Sequence, residues 1–510
     1  MKQKIISFSS LKTLIHAKKC QGLKIVHCHG TFDLIHPGHI VHFEEAKTLG
    51  DILIVTITGE KYVNKGPGKP FFDDSLRSKT VANLEPVDYV SIVPYPAAVE
   101  AIETVCPDIY CKGKEYENPS VDVTGNFHDD LEIVRKVGGE VAYLGSITFS
   151  SSKLLNQHFT VRSKPTNALL DKISNEFPFK KFKRIVDTFS SLKVLLIGDL
   201  IFDKYSTVSV QGLTSKNRIL SSRFVDENIQ AGGVLAIFRH LREFTSNIKL
   251  LTLAGRESWL IPELEKYINK NESWVFHDSD FTTIVKHRYV EALSDGNELS
   301  KLFSVNYINP KDSSSKTNES ILVKVAKNIK NFDLVLVADF GHGMLSSDLR
   351  ELVQADAPFL ALNCQTNSNN FGFNIINRQY HRADSFSLDH TEMSLACGQK
   401  EFNGLKELQN LRNQLSASYA WFTRGGAETI GIHKGNHSTC ESLENSVIDT
   451  VGAGDAFCST AALAAASNLP LELGTLMGQI SGALAVRIVG NSKCVSKSNF
   501  LKSAESLLNR

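Results

Sequence analysis

Short apolar runs alternate with amphipathic stretches in both halves of the chain. In the first half the runs are KIVHCHG, DILIVTIT, VDYVSIV, DIYCKG and GEVAYLG, and the stretches between them have helical spacing. Short runs rich in β-branched residues are typical of strands buried on both faces. Strands that alternate with helices predict a parallel sheet with right-handed crossovers. We therefore predict an α/β domain over residues 1–160.

A second series of strands and helices begins near Leu192. Its strands are predicted at SLKVLLIGDL, LVLVADFG, APFLALNC and YAWFTRGG. Two polar segments with β character, residues 204–223 and TTIVKHRYVEA, predict a small lid sheet. Residues 161–190 are polar and mixed, and we predict a linker there. The second α/β domain is predicted over residues 191–510, and no internal repeat relates the halves.

Composition and charge narrow the class of protein. The chain has 510 residues, 42% hydrophobic and 22% charged, which is typical of globular proteins. Lys and Arg together number 56 and Asp and Glu together number 55, so the chain has no overall positive charge that would attract nucleic acid. No apolar run approaches the ~18–20 residues of a membrane span. The nine cysteines form no CxxC pair, which argues against zinc and for a reducing compartment. We expect a cytoplasmic protein that binds small molecules, with neither nucleic acid nor membrane as a partner.

The segment HGTFDLIHPGH, residues 29–39, carries the chemistry of the first half. It follows a predicted strand and enters a predicted helix, at the edge where parallel sheets bind ligands. N–H groups at a helix start favour anions, and Gly30 lets the backbone approach a phosphate. Two imidazoles, His36 and His39, can donate hydrogen bonds to phosphoryl oxygens. Two incidental surface histidines are the alternative, and the GTFD prefix with its strand–turn–helix context favours the phosphate site.

This segment resembles the HxGH nucleotidyltransferases, in particular the cytidylyltransferase-like enzymes and the adenylyltransferase half of bacterial heptose kinase/adenylyltransferases. The resemblance covers about residues 9–158 and includes KGPGKPF, SLRSKTVANLEPVDYV, CKGKEY and FSSSKLL. It implies a Rossmann-like fold in which His36 and His39 are catalytic. It also implies nucleotide or phosphate contacts from Gly30, Thr31, Phe32, Lys47, Arg77, Lys112, Ser151 and Ser152. A solvated face is an equal alternative for Lys47 and Lys65. The heptose enzymes usually have Asn where this chain has His29, so ATP and CTP both stay open.

The most informative segment of the second half is DTVGAGDAF, residues 449–457. Its glycines free backbone N–H groups to bind anionic oxygens, and the helix that follows directs its positive end toward them. Asp455 is placed to accept a proton from a hydroxyl that attacks a γ-phosphoryl group. A Gly-rich turn without a ligand is the alternative. The whole nonamer, between a strand and an apolar helix, favours the phosphate site.

This second segment resembles the ribokinase-like (PfkB-type) sugar kinases, over about residues 191–510. Supporting strings are IGDLIFD, AGG, TTIVKHRYV, VADFGHGML, FTRGG and AVRIVGN. The resemblance implies that Asp455 is the catalytic base and that Glu392 organises Mg²⁺ through water. An ordinary helix-start Glu is an even alternative for Glu392, and a surface turn for Asp203. The anion hole would be formed by Gly452, Ala453 and Gly454. The sugar pocket would be formed by Asp199, Asp203, Gly232 and Gly233, and the ATP side by Thr423 and Gly425.

Two departures from that pattern concern the sugar pocket. The family usually has Asn at the positions of Asp389 and Ala236. The loss of an Asn that contacts sugar predicts a changed acceptor, whereas the base and the anion hole are intact.

Together the two resemblances imply a bifunctional enzyme that makes a nucleotide-activated sugar, with the modules in the reverse of the usual heptose-enzyme order. The kinase would use ATP and Mg²⁺ on a heptose-like sugar or sugar phosphate. The transferase would use ATP or CTP on a sugar phosphate and release pyrophosphate. The alternative is a nucleotidyltransferase for a polyol or aminoalcohol phosphate, with a decayed kinase-like domain that binds or oligomerises. A homodimer is expected by analogy.

Overall fold

The computed structural model describes residues 4–117, 126–145, 162–292, 299–308, 313–444 and 446–509. By its internal contacts the chain divides into two compact units, Met1–Val161 with Ser498–Arg510, and Arg162–Lys497. Both units are α/β with parallel sheets, as the alternation of apolar runs and amphipathic stretches predicts. Within the described ranges, no helix is long and apolar enough to cross a bilayer.

The first unit is built on a five-stranded parallel sheet in the order β3-β2-β1-β4-β5. Its strands are β1 (Ile25–Gly30), β2 (Ile52–Thr58), β3 (Tyr89–Val93), β4 (Ile109–Gly113) and β5 (Glu140–Leu144). The central strand β1 is buried over its first four residues and becomes half-buried at its carboxyl end. That change marks the edge at which the histidine segment begins.

Helices cover both faces of this sheet. They are α1 (Phe8–Lys19), α2 (Pro37–Lys47), α3 (Asp74–Ala82), α4 (Val99–Val105) and α5 (Asn126–Lys136). Helix α2 begins at Pro37, which lacks the N–H that would be unsatisfied in the first turn. Phe43 and Ala46 of α2 are fully buried and belong to the same core cluster as residues of β1 and β2.

The second unit contains a nine-stranded sheet in the order β10-β9-β6-β13-β14-β15-β16-β17-β18. It is parallel from β10 to β16 and ends in an antiparallel pair. Its strands are β6 (Val194–Gly198), β9 (Ile248–Ala254), β10 (Ser273–His277), β13 (Leu334–Asp339), β14 (Leu360–Cys364), β15 (Ser385–Leu388), β16 (Tyr419–Thr423), β17 (Glu428–His433) and β18 (Asn436–Glu441).

The predicted lid is a separate four-stranded sheet in the order β12-β11-β7-β8. Its strands are β7 (Leu200–Leu213), β8 (Leu220–Gly233), β11 (Ile284–Ala292) and β12 (Leu299–Tyr307). Strand β7 starts two residues after β6 ends, so the lid grows directly from the carboxyl edge of the main sheet. Polar residues at the start of β7 therefore lie where parallel sheets bind ligands.

The helices of the second unit include two in the segment predicted as a linker. They are α6 (Lys164–Glu176), α7 (Phe179–Thr188), α8 (Val234–Arg242), α9 (Leu260–Leu264), α10 (Ser315–Asn328), α11 (Ser347–Asp356), α12 (Ile376–Gln379), α13 (His390–Cys397), α14 (Gly404–Gln414), α15 (Ala453–Ala466) and α16 (Leu471–Ala485). Helix α6 buries Leu169, Leu170 and Ile173, and Lys172 forms an ion pair with Glu472 at 2.7 Å. These contacts place residues 162–190 in the second unit instead of between the units.

The last helix also differs from the predicted domain limits. Helix α17 (Lys497–Leu508) follows the kinase-like segment in sequence, yet residues 498–510 group with the first unit. Its apolar face is buried at Phe500, Leu501 and Leu507, which are 0%, 4% and 2% exposed. The sequence shows that this helix has an apolar face, but not which unit buries it.

Candidate active sites

The two histidines of the first unit are stacked at the start of helix α2. The ring centroids of His36 and His39 are 3.8 Å apart with 17° between the ring planes. His36 is the N-cap residue of α2. Burial lowers the pKa of His39 to about 3 with a further contribution from His36, and burial also lowers the pKa of His36. Both rings are therefore neutral near pH 7, and each can donate one hydrogen bond toward an anion at the helix start.

Gly30, Thr31 and Phe32 shape the backbone beneath these rings. Phe32 has a positive φ of 47°, unusual for a residue with a side chain, and its ring packs edge-on against His39 at 5.4 Å. A Cβ on Gly30 would lie 2.9 Å from the Phe32 ring. Phe32 is thus buried against the histidine, and its side chain acts as a support for His39.

Arg77 has a different role from the predicted phosphate contact. Its side chain is fully buried, and Nη1 donates to the carbonyl oxygens of Thr31 at 2.7 Å and Thr58 at 2.9 Å. Nη2 pairs with Asp74. A guanidinium held in this way ties the phosphate segment to the end of β2.

Lys47 lies at the other end of helix α2 from the histidines. Its Nζ pairs with Asp88 and donates to the carbonyl oxygen of Asp51 at 2.6 Å. Asp51 and Asp88 immediately precede β2 and β3, so they lie at the amino edge of a parallel sheet. The predicted phosphate contact of Lys47 does not fit this position.

Lys112 and His29 lie at the carboxyl edge, as predicted. Lys112 is near the end of β4 and forms an ion pair with Asp130 at 3.0 Å. His29 is the last residue but one of the adjacent strand β1, and its two ring nitrogens form hydrogen bonds with Thr56 at 2.8 Å and Thr58 at 3.1 Å. Burial lowers the pKa of His29 well below its ordinary value, and Lys112 adds to this. Ser151 and Ser152 lie outside the described residues.

The candidate site of the second unit surrounds a cavity of about 470 Å³. Gly452 is the N-cap residue of helix α15 with a φ of 81°, and a Cβ on it would lie 2.2 Å from Oδ1 of Asn491. Gly454 has open space where a Cβ would be. The cavity is lined by the predicted residues Thr423, Gly425, Gly452, Ala453, Gly454, Asp455 and Glu392. The structure therefore brings together the predicted anion hole, base and ATP side.

Asp455 is held by two amide side chains that sequence reasoning missed. Its Oδ1 accepts hydrogen bonds from Asn363 at 2.9 Å and from Gln365 at 2.7 Å. Burial raises the pKa of Asp455 to about 6, while both hydrogen bonds and the charge of Lys286 act in the opposite direction. A carboxylate with a pKa near 6 is matched to proton abstraction near neutral pH. The available signal was a polar residue near the carboxyl end of the buried strand β14, Asn363, and another directly after it, Gln365.

Asp203 is part of a charged network at the start of the lid. Its carboxylate pairs with Arg288 and accepts a hydrogen bond from Nδ2 of Asn491 at 3.2 Å. A Cβ on Gly232 would lie 2.4 Å from Oδ2 of Asp203, so the carboxylate needs glycine there. Gly233 adjoins it as the N-cap residue of α8.

Lys286 and Arg288 were also missed. They alternate along strand β11, so a period of two puts both on one face of the lid. Burial lowers the pKa of Lys286, against the charge of Asp203. The charge of Lys286 lowers the pKa of Asp455, and Arg288 pairs with Asp203. Neither cation is among the residues that line the cavity of about 470 Å³.

Asp199 is bound in a different place from Asp203, and neither aspartate is among the residues that line the cavity. It is 1% exposed, and its carboxylate accepts backbone N–H groups from Phe340 at 2.9 Å, Met344 at 3.2 Å and His342 at 3.4 Å. Burial raises its pKa to about 7, with a contribution from Asp339. The predicted contact with sugar hydroxyls is replaced by stabilisation of the turn after β13.

Glu392 lies in the first turn of helix α13 and forms a capping box with Asp389, the N-cap residue. Its Oε2 accepts the N–H of Asp389 at 2.9 Å, and its own N–H donates to Oδ1 of Asp389 at 2.8 Å. Burial raises the pKa of Glu392 well above its ordinary value. Asp389, at the usual Asn position, therefore has a structural use as the N-cap residue. Ala236, at the other usual Asn position, is buried in helix α8.

The donor set at the cavity fits a magnesium ion bound with a nucleotide. Among the described residues no group of three or more His, Cys, Asp or Glu side chains could hold a metal ion. Asp455 and Glu392 both line the cavity. Mg²⁺ is usually held by one or two carboxylates, water and substrate phosphates, which matches two carboxylates beside an anion hole.

Sequence comparison assigns the two halves to different families. The cytidylyltransferase-like family model matches residues 27–165. The model of the pfkB family carbohydrate kinases matches residues 285–498. Phosphofructokinase-2 from Escherichia coli, solved with substrates and products, covers 62% of this chain and 98% of its own at 13% identity and a TM-score of 0.49.

Relatives of the N-terminal region carry the name "Bifunctional protein HldE". The protein of that name from Geobacter metallireducens is 34% identical over 141 residues, which is 27% of this chain and 29% of that relative. The one from Ectopseudomonas mendocina is 33% identical over 175 residues, 34% of this chain and 32% of that relative. The matches thus span about a third or less of these relatives. The chain combines a cytidylyltransferase-like domain, matched over residues 27–165, with a pfkB family carbohydrate kinase domain, matched over residues 285–498.

Proposed function

We propose that this chain is a bifunctional enzyme that makes a nucleotide-activated sugar. Its C-terminal domain phosphorylates a heptose-like sugar or sugar phosphate from ATP. Its N-terminal domain transfers a nucleotidyl group, AMP or CMP, to a sugar phosphate and releases pyrophosphate. The observation that carries the proposal is the buried Asp455 beside the start of helix α15 in a cavity of about 470 Å³.

In the kinase reaction Asp455 takes the proton of the acceptor hydroxyl. The hydroxyl oxygen then bonds to the γ-phosphorus as the bond from that phosphorus to ADP breaks. Asn363 and Gln365 hold one carboxylate oxygen by N–H donation, which orients the carboxylate. The first-turn N–H groups of α15 receive negative charge that develops on the phosphate oxygens. Mg²⁺, when bound, neutralises phosphate charge, and Glu392 would contribute to its site through water.

In the transferase reaction a phosphate oxygen of the sugar phosphate attacks the α-phosphorus of the nucleotide, and pyrophosphate leaves. His36 and His39 stand at a helix start and donate hydrogen bonds to phosphoryl oxygens whose charge increases during transfer. Both rings are neutral before the nucleotide binds. They therefore first contact the phosphoryl oxygens as neutral N–H donors and not as imidazolium cations.

The pH dependence of phosphorylation tests the role of Asp455. Only the ionised carboxylate accepts a proton, and its pKa is about 6. We expect kcat/KM to fall as pH drops below about 6, approaching tenfold per pH unit, and to level off above it. Lys286 lowers this pKa, so Lys286→Met should move the midpoint to higher pH, and the exposed Lys316→Met should not. A profile that is flat from pH 5 to 8 would contradict a base at Asp455.

Substrate panels test the two activities directly. Pyrophosphate release should be measured with ATP and with CTP against sugar 1-phosphates, glycerol phosphate and phosphocholine. ADP formation should be measured with ATP against heptose and hexose phosphates. We expect nucleotide-dependent pyrophosphate release with a sugar phosphate and ADP formation with a sugar. Release only with the polyol or aminoalcohol phosphate, without ADP formation, would support the alternative instead.

A further inference from the structure

The C-terminal helix α17 contacts a loop of the transferase domain. This lysine loop is residues 63–72, VNKGPGKPFF. Gly66 has a φ of 93°, and a Cβ on it would lie 3.2 Å from Cα of Ser503 and 3.4 Å from Cβ of Ser506. Nδ2 of Asn64 donates to Oδ1 of Asn499 at 2.5 Å. The loop therefore packs closely on the helix at Gly66, where a side chain would be crowded by α17 and strained by the positive φ.

The other end of the lysine loop is bound to the histidine segment. The carboxylate of Asp33 accepts the backbone N–H of Phe71 at 2.8 Å and of Phe72 at 2.9 Å. Asp33 lies between Gly30 and His36, in the segment that carries the proposed phosphate site. The loop is thus attached to the candidate site at one end and to helix α17 at the other.

Lys65 lies between Asn64 and Gly66, the two loop residues that contact α17. Its charge contributes to the lowered pKa of His36, of His39 and of His29, after the larger effect of burial. The geometry agrees with this effect, because the loop that carries Lys65 is hydrogen-bonded to Asp33 in the same segment as His36 and His39. A cation beside two hydrogen-bond donors at a helix start suits a polyphosphate.

Helix α17 is itself a firm support. Phe500, Ser503 and Ala504 are fully buried, and Ser503 donates from Oγ to the carbonyl oxygen of Asn499 at 2.9 Å. A helix with a buried face keeps its position, whereas a Gly–Pro–Gly loop alone would sample many conformations.

We propose that residues 498–510 are a positioning element of the nucleotidyltransferase site: helix α17 holds the lysine loop so that Lys65 stays beside His36 and His39 and meets the phosphates of the nucleoside triphosphate. The inference rests on the proposed nucleotidyl transfer. It makes the final helix, which follows the kinase-like segment in sequence, necessary for the activity of the N-terminal domain.

The first test measures the loop itself in the full chain, without any activity. Trypsin cleavage at the Lys65–Gly66 bond and hydrogen exchange of residues 63–72 should both accelerate about tenfold or more in Gly66→Ala. The matched control is Gly138→Ala, because Gly138 also has a positive φ, 82°, and nothing within 4 Å of its Cβ position. Asn499→Leu, which removes the oxygen that accepts from Asn64, should show the same release of the loop. Unchanged cleavage in both Gly66→Ala and Asn499→Leu would overturn the proposal.

The second test separates positioning from general stability. In Gly66→Ala and Asn499→Leu, KM for the nucleotide that supports pyrophosphate release should rise about tenfold or more, with a smaller change in kcat, since a charge-assisted phosphate contact is weakened. Asn499→Asp keeps an oxygen to accept from Asn64 and should restore the wild-type KM. ADP formation by the kinase domain in the same samples reports that the chain is folded.

The outcomes distinguish the two proposals. A released loop with an unchanged KM overturns the inference and leaves the proposed function in place. Absence of pyrophosphate release from the wild-type chain with every substrate tested contradicts the proposed transferase, and the cleavage assay still decides whether α17 holds the loop.

Discussion

Asp455→Asn is expected to lower kcat for sugar phosphorylation by about 10²–10⁴-fold, the usual contribution of a general base. The substitution keeps the size of the side chain and an oxygen that can accept from Asn363 and Gln365. It removes the basic lone pair that takes the hydroxyl proton. The measurement is ADP formation under saturating ATP, with the acceptor found in the substrate panel.

A control variant and a second assay accompany Asp455→Asn. Asp226→Asn removes the same charge from an exposed position of strand β8 and should phosphorylate at the wild-type rate. Pyrophosphate release by Asp455→Asn should also be unchanged, because the histidine site belongs to the other unit. Wild-type phosphorylation by Asp455→Asn would show that another group is the base. Loss of both activities in a folded chain would contradict two separate sites.

His39→Ala should have the converse effect, lowering pyrophosphate release by about 10²–10³-fold while phosphorylation stays at the wild-type rate. The imidazole donates to phosphoryl oxygens in the transition state, and its removal leaves the stacked His36 without its partner ring at 3.8 Å. His39→Asn retains an N–H donor and should lie between the two. The readout is pyrophosphate release under saturating nucleotide and sugar phosphate.

The matched control for this prediction is His16→Ala. His16 is an exposed histidine of helix α1, away from the carboxyl edge of the sheet. Its removal should leave both activities unchanged. If His39→Ala transfers nucleotide as fast as His16→Ala does, the histidine pair is structural and the proposed transferase mechanism fails.

The distance of Lys47 from the histidines follows from helix geometry. Helix α2 has 11 residues, and Lys47 is the last of them. At about 1.5 Å per residue it lies some 16 Å from the helix start, too far to share a phosphate with His36. Arg77 is a different case. Its sequence position allowed a phosphate contact, and only the folded chain shows carbonyl oxygens at 2.7 and 2.9 Å that use its donors.

The two aspartates around the start of the lid are a second case in which the sequence does not determine the contacts of a side chain. Asp199 and Asp203 are four residues apart around one strand end, and both were predicted to face sugar. In the structure Asp199 binds backbone N–H groups some 140 residues away in sequence, while Asp203 pairs with Arg288. Which partners each carboxylate contacts depends on the turn between β6 and β7, and local sequence does not specify that turn.

The amino-acid sequence alone determined the two α/β units, the lid and the strand-to-helix turns at His36 and at Gly452. Buried parallel strands and phosphate-binding turns have local patterns of apolar residues and glycine, which is why the sequence predicts them. Only the tertiary structure decided that Asn363 and Gln365 hold Asp455 and that Arg77 donates to backbone carbonyl oxygens. It also decided that residues 498–510 pack with the first unit. These are pairings between residues far apart in the chain, and a side chain's partner is set by the packing of whole elements, which no local pattern encodes.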